Sequence, residues 1–239
     1  MKKTMTNKLV VLLALGLLAS CGKKKDSDSS SGDKPSTDNP KAVGGDDKPA
    51  PSGPFAEFGD NDAILKKWQG SWVVETGMLG HFEAWEVKGN QIKTYDGKAE
   101  GTKKLEIESP CSAKIVEKSG GGTSSTTAVF TFEGDQLHTG MGSAGLKKGD
   151  KILACGSGGI FVWDGKKCTA YEDHFGKMEE KPTECTLEGS TFTAKNPSFD
   201  MKSTFEITGD VLMNQQMKGN KVEKASSFDD AKAKLAARK

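Results

Sequence analysis

The sequence predicts an all-β fold, an antiparallel meander of hairpins that closes into an up-and-down barrel or a sandwich, with a short N-terminal helix and a C-terminal helix. Three observations predict it. First, one phrase is written four times: WEVKGNQI (85–92), FTFEGDQL (130–137), CTLEGSTF (185–192) and FEITGDVL (205–212). Each copy has large or apolar residues at its first and third positions, Gly at the fifth and an apolar residue at the eighth. Gly-Asn, Gly-Asp and Gly-Ser are two-residue turn signatures, because Gly accepts positive φ without strain. Second, short segments with period-two alternation fill most of the chain after residue 72, separated by turn residues. Third, the copies start at irregular intervals, which excludes a solenoid or propeller and leaves a meander that must close or cover its edges.

The elements follow in order. Residues 61–68 (NDAILKKW) predict a helix with Asn61 or Asp62 as its cap. Strands are expected over 72–75, 82–88, 91–95, 104–108, 113–117, 126–133, 136–139, 151–155, 160–163, 167–172, 184–188, 191–195, 203–208 and 211–215. Asp164-Gly165 marks a further hairpin turn. Ser227 followed by Asp230 resembles a capping box, and Phe228, Ala231 and Leu235 share one helical face, so a helix over 228–238 should pack on the outside of the sheet.

Ahead of these elements the sequence reads as an address and a tether. Lys2, Lys3 and Lys8 precede an apolar run from Leu9 to Leu18, the parts of a secretory signal over residues 1–20. As a helix that run is about 15 Å long, against about 30 Å of bilayer core, so it does not span. Residues 22–54 hold only Ala42, Val43 and Ala50 as apolar side chains and five of the eight prolines in the chain. With Cys21 they form a linker that cannot bury enough apolar surface to order itself. As a flexible coil it spans on the order of 30 Å, enough to hold a domain clear of a membrane. Residues 55–239 are long enough for a single β-barrel-like domain.

Leu18-Ala19-Ser20-Cys21 resembles the lipobox of bacterial lipoproteins. The resemblance implies cleavage before Cys21, lipidation of Cys21 and a membrane partner held through that lipid; Gly22 after the Cys favours the outer membrane of the cell envelope. Gly70-Ser71-Trp72, preceded by a short helix and followed by a meander, resembles the lipocalin and wider calycin pattern. That family closes an up-and-down barrel around one small, usually apolar ligand. Its Trp packs across the closed end of the barrel, often against an Arg from a late strand. Here the only Arg is Arg238, outside the predicted strands, and the Thr-Asp-Tyr stretch of the family is absent. The resemblance therefore implies architecture, and a structural role for Trp72.

Charge and chemistry narrow the function classes. A formal net charge of +1, carried on the basic side almost wholly by Lys, argues against a nucleic-acid partner. Cys111, Cys155, Cys168 and Cys185 are an even set in an exported domain, so disulfides are expected among three connectivities. Cys168–Cys185 with Cys111–Cys155 is the favoured set, the first pinning a polar loop over 171–184. His81, His138 and His174 show no H-x-H or H-E-x-x-H spacing, and no C-x-x-C is present, so no metal is expected. Residues 140–145 contain G-x-G-x-x-G, but no βαβ unit surrounds it, so a flexible loop is expected. No G-x-S-x-G or paired acidic motif appears; no catalytic residue, cofactor or enzymatic activity is expected.

The aromatics remain as ligand candidates. Trp85, Phe130, Phe132, Phe161 and Trp163 sit on expected strands, where aromatics are mostly core but line any cavity the barrel leaves open. Phe161 and Trp163 share one face while Ile160 and Val162 share the other. A strand apolar on both sides is expected under the C-terminal helix or at a partner surface. The expectation is a lipid-anchored envelope protein that binds a small apolar molecule or lipid, with a structural protein recruiting an envelope partner as the alternative.

Overall fold

The computed structural model describes residues 53–76, 80–119, 121–140, 142–156, 158–174, 177–220 and 222–238. The signal segment, Cys21 and the tether through residue 52 lie outside the described residues. Helix α1 (Asn61–Trp68) leads in, and its cap is Asp60 rather than Asn61 or Asp62. Asp60 holds an extended backbone, and its Oδ1 accepts from the Asp62 N–H at 3.1 Å.

The fold is all-β, but its strands divide between two antiparallel sheets, each curled nearly into a barrel. The first holds β1 (Gly70–Glu75), β2 (Phe82–Lys88), β3 (Gln91–Tyr95), β4 (Glu100–Ser109), β5 (Ser112–Ser119), β6 (Gly122–Glu133) and β7 (Gln136–Gly140), paired in succession. The second holds β8 (Ala144–Lys148), β9 (Lys151–Gly156), β10 (Gly159–Trp163), β11 (Cys168–His174), β12 (Lys177–Thr183), β13 (Cys185–Glu188), β14 (Thr191–Lys195), β15 (Lys202–Thr208) and β16 (Val211–Met213). After a single helical turn, α2 (Gln215–Gly219), the chain returns to the first sheet as β17 (Glu223–Ala225), which pairs with β1, and ends in α3 (Phe228–Ala236).

Closure is made differently in the two sheets. In the second, β16 pairs with β8, Leu212 opposite Gly145, so the strand order is circular except between β12 and β13. The chain crosses that seam through Glu184, and the Cys168–Cys185 disulfide staples across it. In the first, β7 and β17 are the two edges, and side chains bridge toward them: Gln136 Nε2 donates to the Val222 carbonyl at 3.1 Å, and Asn220 Nδ2 to the Thr139 carbonyl at 3.3 Å. The four repeated phrases are hairpins β2–β3, β6–β7, β13–β14 and β15–β16. Their glycines, Gly89, Gly134, Gly189 and Gly209, have φ of 56°, 61°, 59° and 60°, the conformation that a two-residue hairpin turn demands.

Three expectations are corrected. The polar loop over 171–184 is a long hairpin of β11 and β12: Lys177–Thr183 lacks apolar alternation and contains Pro182, but its backbone bonds are met by pairing with β11. The G-x-G-x-x-G stretch runs into strand β8 rather than staying a loop. A β-carbon on Gly145 would come within 2.2 Å of the Leu153 carbonyl oxygen, so the glycine serves a close approach to the neighbouring strand. The expected strand over 211–215 stops at Met213, because Asn214 turns the chain and caps α2 by accepting from the Met217 N–H at 2.8 Å.

The second sheet encloses Ile152, Ala154, Phe161, Ala170, Phe192, Ala194, Phe205 and Leu212. The core between the sheets joins Cys111 and Val129 of the first to Leu153, Cys155, Ile160, Val211 and Met213 of the second, with Phe55 and Phe58 packed in. The outer face of β10, carrying Ile160 and Val162, is thus buried against the first sheet and not under α3. Helix α3 covers the first sheet instead, laying Phe228, Ala231 and Leu235 on Val73 and Ala84. The Cys111–Cys155 disulfide runs from the β4–β5 turn to β9 and ties the two sheets covalently. Both favoured disulfide pairings are present.

Candidate ligand-binding site

Period-two alternation decides what faces the inside of the first sheet. On β1 these are Trp72 and Val74; on β2, Glu83, Trp85 and Val87; on β4, Lys103, Leu105 and Ile107. On β5 they are Ala113, Ile115 and Glu117, and on β6, Thr126, Ala128, Phe130 and Phe132. One end is plugged by aromatics. Trp68, from the last turn of α1, meets Phe130 edge-on at 5.2 Å and Phe132 at 6.3 Å, and lies stacked 6.5 Å from Trp85. Trp72 Nε1 donates to the Trp68 carbonyl oxygen at 2.9 Å. Lys224 on β17, registered opposite Trp72, sets its ammonium 5.4 Å from the Trp72 ring. The ammonium over the ring face is a cation–π contact that ties β17 to the plug.

Above the plug the lumen stays open. A cavity of about 320 Å³ is lined by Val74, Trp85, Ile115 and Ala128 along its apolar wall and by Lys103, Glu117, Thr126 and Thr139 among its polar groups. The outer half of β6 is solvent-exposed, so the β5–β6 hairpin forms the rim. Near the rim Glu83 is held by three hydrogen bonds from two donors. Trp85 Nε1 donates to its Oε2 at 2.7 Å, and Lys103 Nζ to Oε1 and Oε2 at 3.1 and 2.9 Å. The Glu83 and Lys103 side chains are only 12% and 15% exposed, whereas Glu117, 4.0 Å from Lys103, is 51% exposed. Pairing with hydrogen bonds is what allows two charges to sit this deep.

The structure distributes the aromatic candidates among three places. Trp85 lines the cavity. Phe130 and Phe132 belong to the plug beneath it. Phe161 and Trp163 belong to the interior of the other sheet, where Trp163 lies 5.9 Å from Phe192. Glu83, Lys103 and Glu117 are site residues that sequence reasoning missed. Their signal was a charge on the inward-facing register of an alternating strand, which reads like any solvent-facing charge until the sheet curls. His81 precedes β2 and His138 lies on β7, while His174 ends β11 in the other sheet. Among the described residues no group of three His, Cys, Asp or Glu is arranged to hold a metal ion.

No family model, curated protein or solved structure matches the chain. The arrangement is a helix leading into Gly70-Ser71-Trp72, a meander curled on itself, and an aromatic plug under an open lumen.

A second concavity, about 430 Å³, lies between the sheets and is lined by Glu108, Val129, Tyr171, Glu172, Met178 and Phe199 among others. Burial, with Glu180 and Glu57 nearby, pushes the Tyr171 phenol above its ordinary range. Phe199, Met201 and Met178 are the large apolar side chains exposed among the described residues, at 64%, 54% and 41%.

Proposed function

We propose that this is a lipid-anchored cell-envelope protein that holds a small apolar molecule or lipid in the lumen of its first sheet. The observation that carries the reading is the open cavity walled by Trp85, Val74, Ile115 and Ala128 above a sealed aromatic floor. Apolar walls with a few placed polar groups are the usual composition of a small-molecule site. Anchoring rests on Leu18-Ala19-Ser20-Cys21 behind its apolar run, and Gly22 favours the outer membrane.

Native mass spectrometry of the exported protein tests the binding. A co-purifying small ligand, lost in Trp85→Ala, is the expected result. A consistently empty protein that also fails to take up N-phenyl-1-naphthylamine would refute it. For the anchor, Cys21→Ala should release the protein from membranes.

One observation favours a second reading, recruitment of an envelope protein without a ligand. Phe199 and Met178 line the concavity between the sheets while remaining exposed, and clustered exposed apolar side chains mark interaction surfaces. Under this reading Phe199→Asp abolishes capture of one envelope protein and leaves the lumen unaffected.

A further inference from the structure

The lumen has a polar rim whose charges are unbalanced. Lys103 is the only cation among the described residues that line the cavity, while Glu117 lines the same cavity on the inward register of β5. Lys103 is already committed: two of its hydrogen bonds go to Glu83 at 2.9 and 3.1 Å, and its remaining neighbour is Glu117 at 4.0 Å. Glu83 in turn is filled by Lys103 and Trp85 Nε1. An incoming carboxylate therefore finds a cation that is already neutralised and a further carboxylate, Glu117, beside it. Like charges brought together in a partly desolvated site cost several-fold in affinity or more. An uncharged head meets no such penalty. The hydroxyl of Thr126 on the cavity wall can donate to or accept from a hydroxyl or ester, whereas that of Thr139 is already spent on the Val129 carbonyl at 3.0 Å.

Size adds a second constraint. About 320 Å³ is at the small end of the range for ligand pockets, which start at about 300 Å³. One chain fits there, and a diacyl lipid does not. We infer that the lumen takes a single-chain amphiphile with an uncharged, hydrogen-bonding head, a monoacylglycerol or alcohol type, inserted tail first past Trp85, and that it rejects the fatty-acid anion of the same chain length. This rests on the lumen-binding reading above.

The test uses the exported chain carrying Cys21→Ala, handled without detergent, with decanoate and monodecanoyl glycerol as probes. Binding is read from displacement of N-phenyl-1-naphthylamine and from the fluorescence difference between the protein and its Trp85→Phe variant. The glycerol ester should bind at least about tenfold more tightly than decanoate at pH 8. Glu117→Gln, at an exposed position that folding tolerates, should narrow that ratio by raising decanoate affinity and leaving the ester unchanged. Glu83→Gln, which frees Lys103, should narrow it further. Decanoate binding as tightly as the ester, or a ratio unmoved by Glu117→Gln, would overturn the charge selection while the lumen reading stands. If neither probe binds, both fall.

Discussion

Trp72 Nε1 donates to the Trp68 carbonyl oxygen at 2.9 Å, while the buried Nε1 of Trp68 has no hydrogen-bond partner among the described residues. The two rings fill the same plug with the same chemistry, yet one indole N–H is satisfied and the other is not. Trp72→Phe should cost more stability than Trp68→Phe. Both lose similar volume, but only the first gives up a made hydrogen bond, and the second removes an unmet donor. The difference should be about 1–2 kcal/mol in chemical denaturation. Equal costs would mean that the plug is held by packing alone.

The sheets are joined by Cys111–Cys155, with both residues buried and 44 apart in sequence. Restricting the unfolded chain over that loop is worth about 4 kcal/mol in the chain-entropy account, against about 3 kcal/mol for the 17-residue separation of Cys168–Cys185. Paired alanine variants of each bridge should fall in that order in guanidinium melts. The reverse order would show that the seam between β12 and β13, not the joint between the sheets, is the weaker closure.

Docking of α3 should be acid-sensitive. Glu100 on β4 accepts hydrogen bonds from Lys232 of α3 and then Lys93, which lower its carboxyl from 4.5 to about 2. Lys232 also lies 4.6 Å from the Phe228 ring centroid. A carboxyl whose folded pKa is depressed stabilises the fold above its unfolded value and loses that contribution as pH falls through the folded one. The contribution is therefore present above pH 4.5 and fades toward pH 2. The melting temperature of the native protein should drop more steeply across that window than that of Glu100→Gln. Parallel curves would exclude Glu100 as the sensitive group.

Two glycines should respond differently to alanine. At Gly89 nothing lies within 4 Å of an added β-carbon, and only its φ of 56° resists, so Gly89→Ala should cost about 1–2 kcal/mol. At Gly145 the added carbon meets the carbonyl of Leu153 on the paired strand, and backbone cannot step aside. Gly145→Ala should cost more than Gly89→Ala and lower the yield of folded protein. A mild Gly145→Ala would show that β8 can shift away from β9.

How far the sequence could be read depended on the range of the interaction. The hairpins at Gly89, Gly134, Gly189 and Gly209 were legible because turn residues and flanking apolar positions lie within eight residues of each other. The α3 cap was legible for the same reason: Ser227 Oγ accepts from the Asp230 N–H at 3.1 Å, three residues on. Strands β8, β12 and β17 carried no such signal. AGLKK, KMEEKPT and EKA are strands only because a neighbour offers its backbone. Of the site, Trp85 was legible as an aromatic on a strand, whereas Glu83 and Lys103 were not.

The sequence by itself determined the Gly-centred strand-turn-strand units, the apolar face of each and the helices that lead into and follow the strands, since each follows from local backbone preference and side-chain period. Only the tertiary structure decided that the strands form two sheets, that β16 closes on β8 through Val211 and Leu146, and that the last strand returns to sit opposite Trp72 as Lys224. It alone also decided that Trp85 borders open space while Phe161 is packed solid. Those outcomes rest on pairings between residues far apart in the chain, where the gain from closure outweighs the entropy of the loops, and no local pattern records which partner wins.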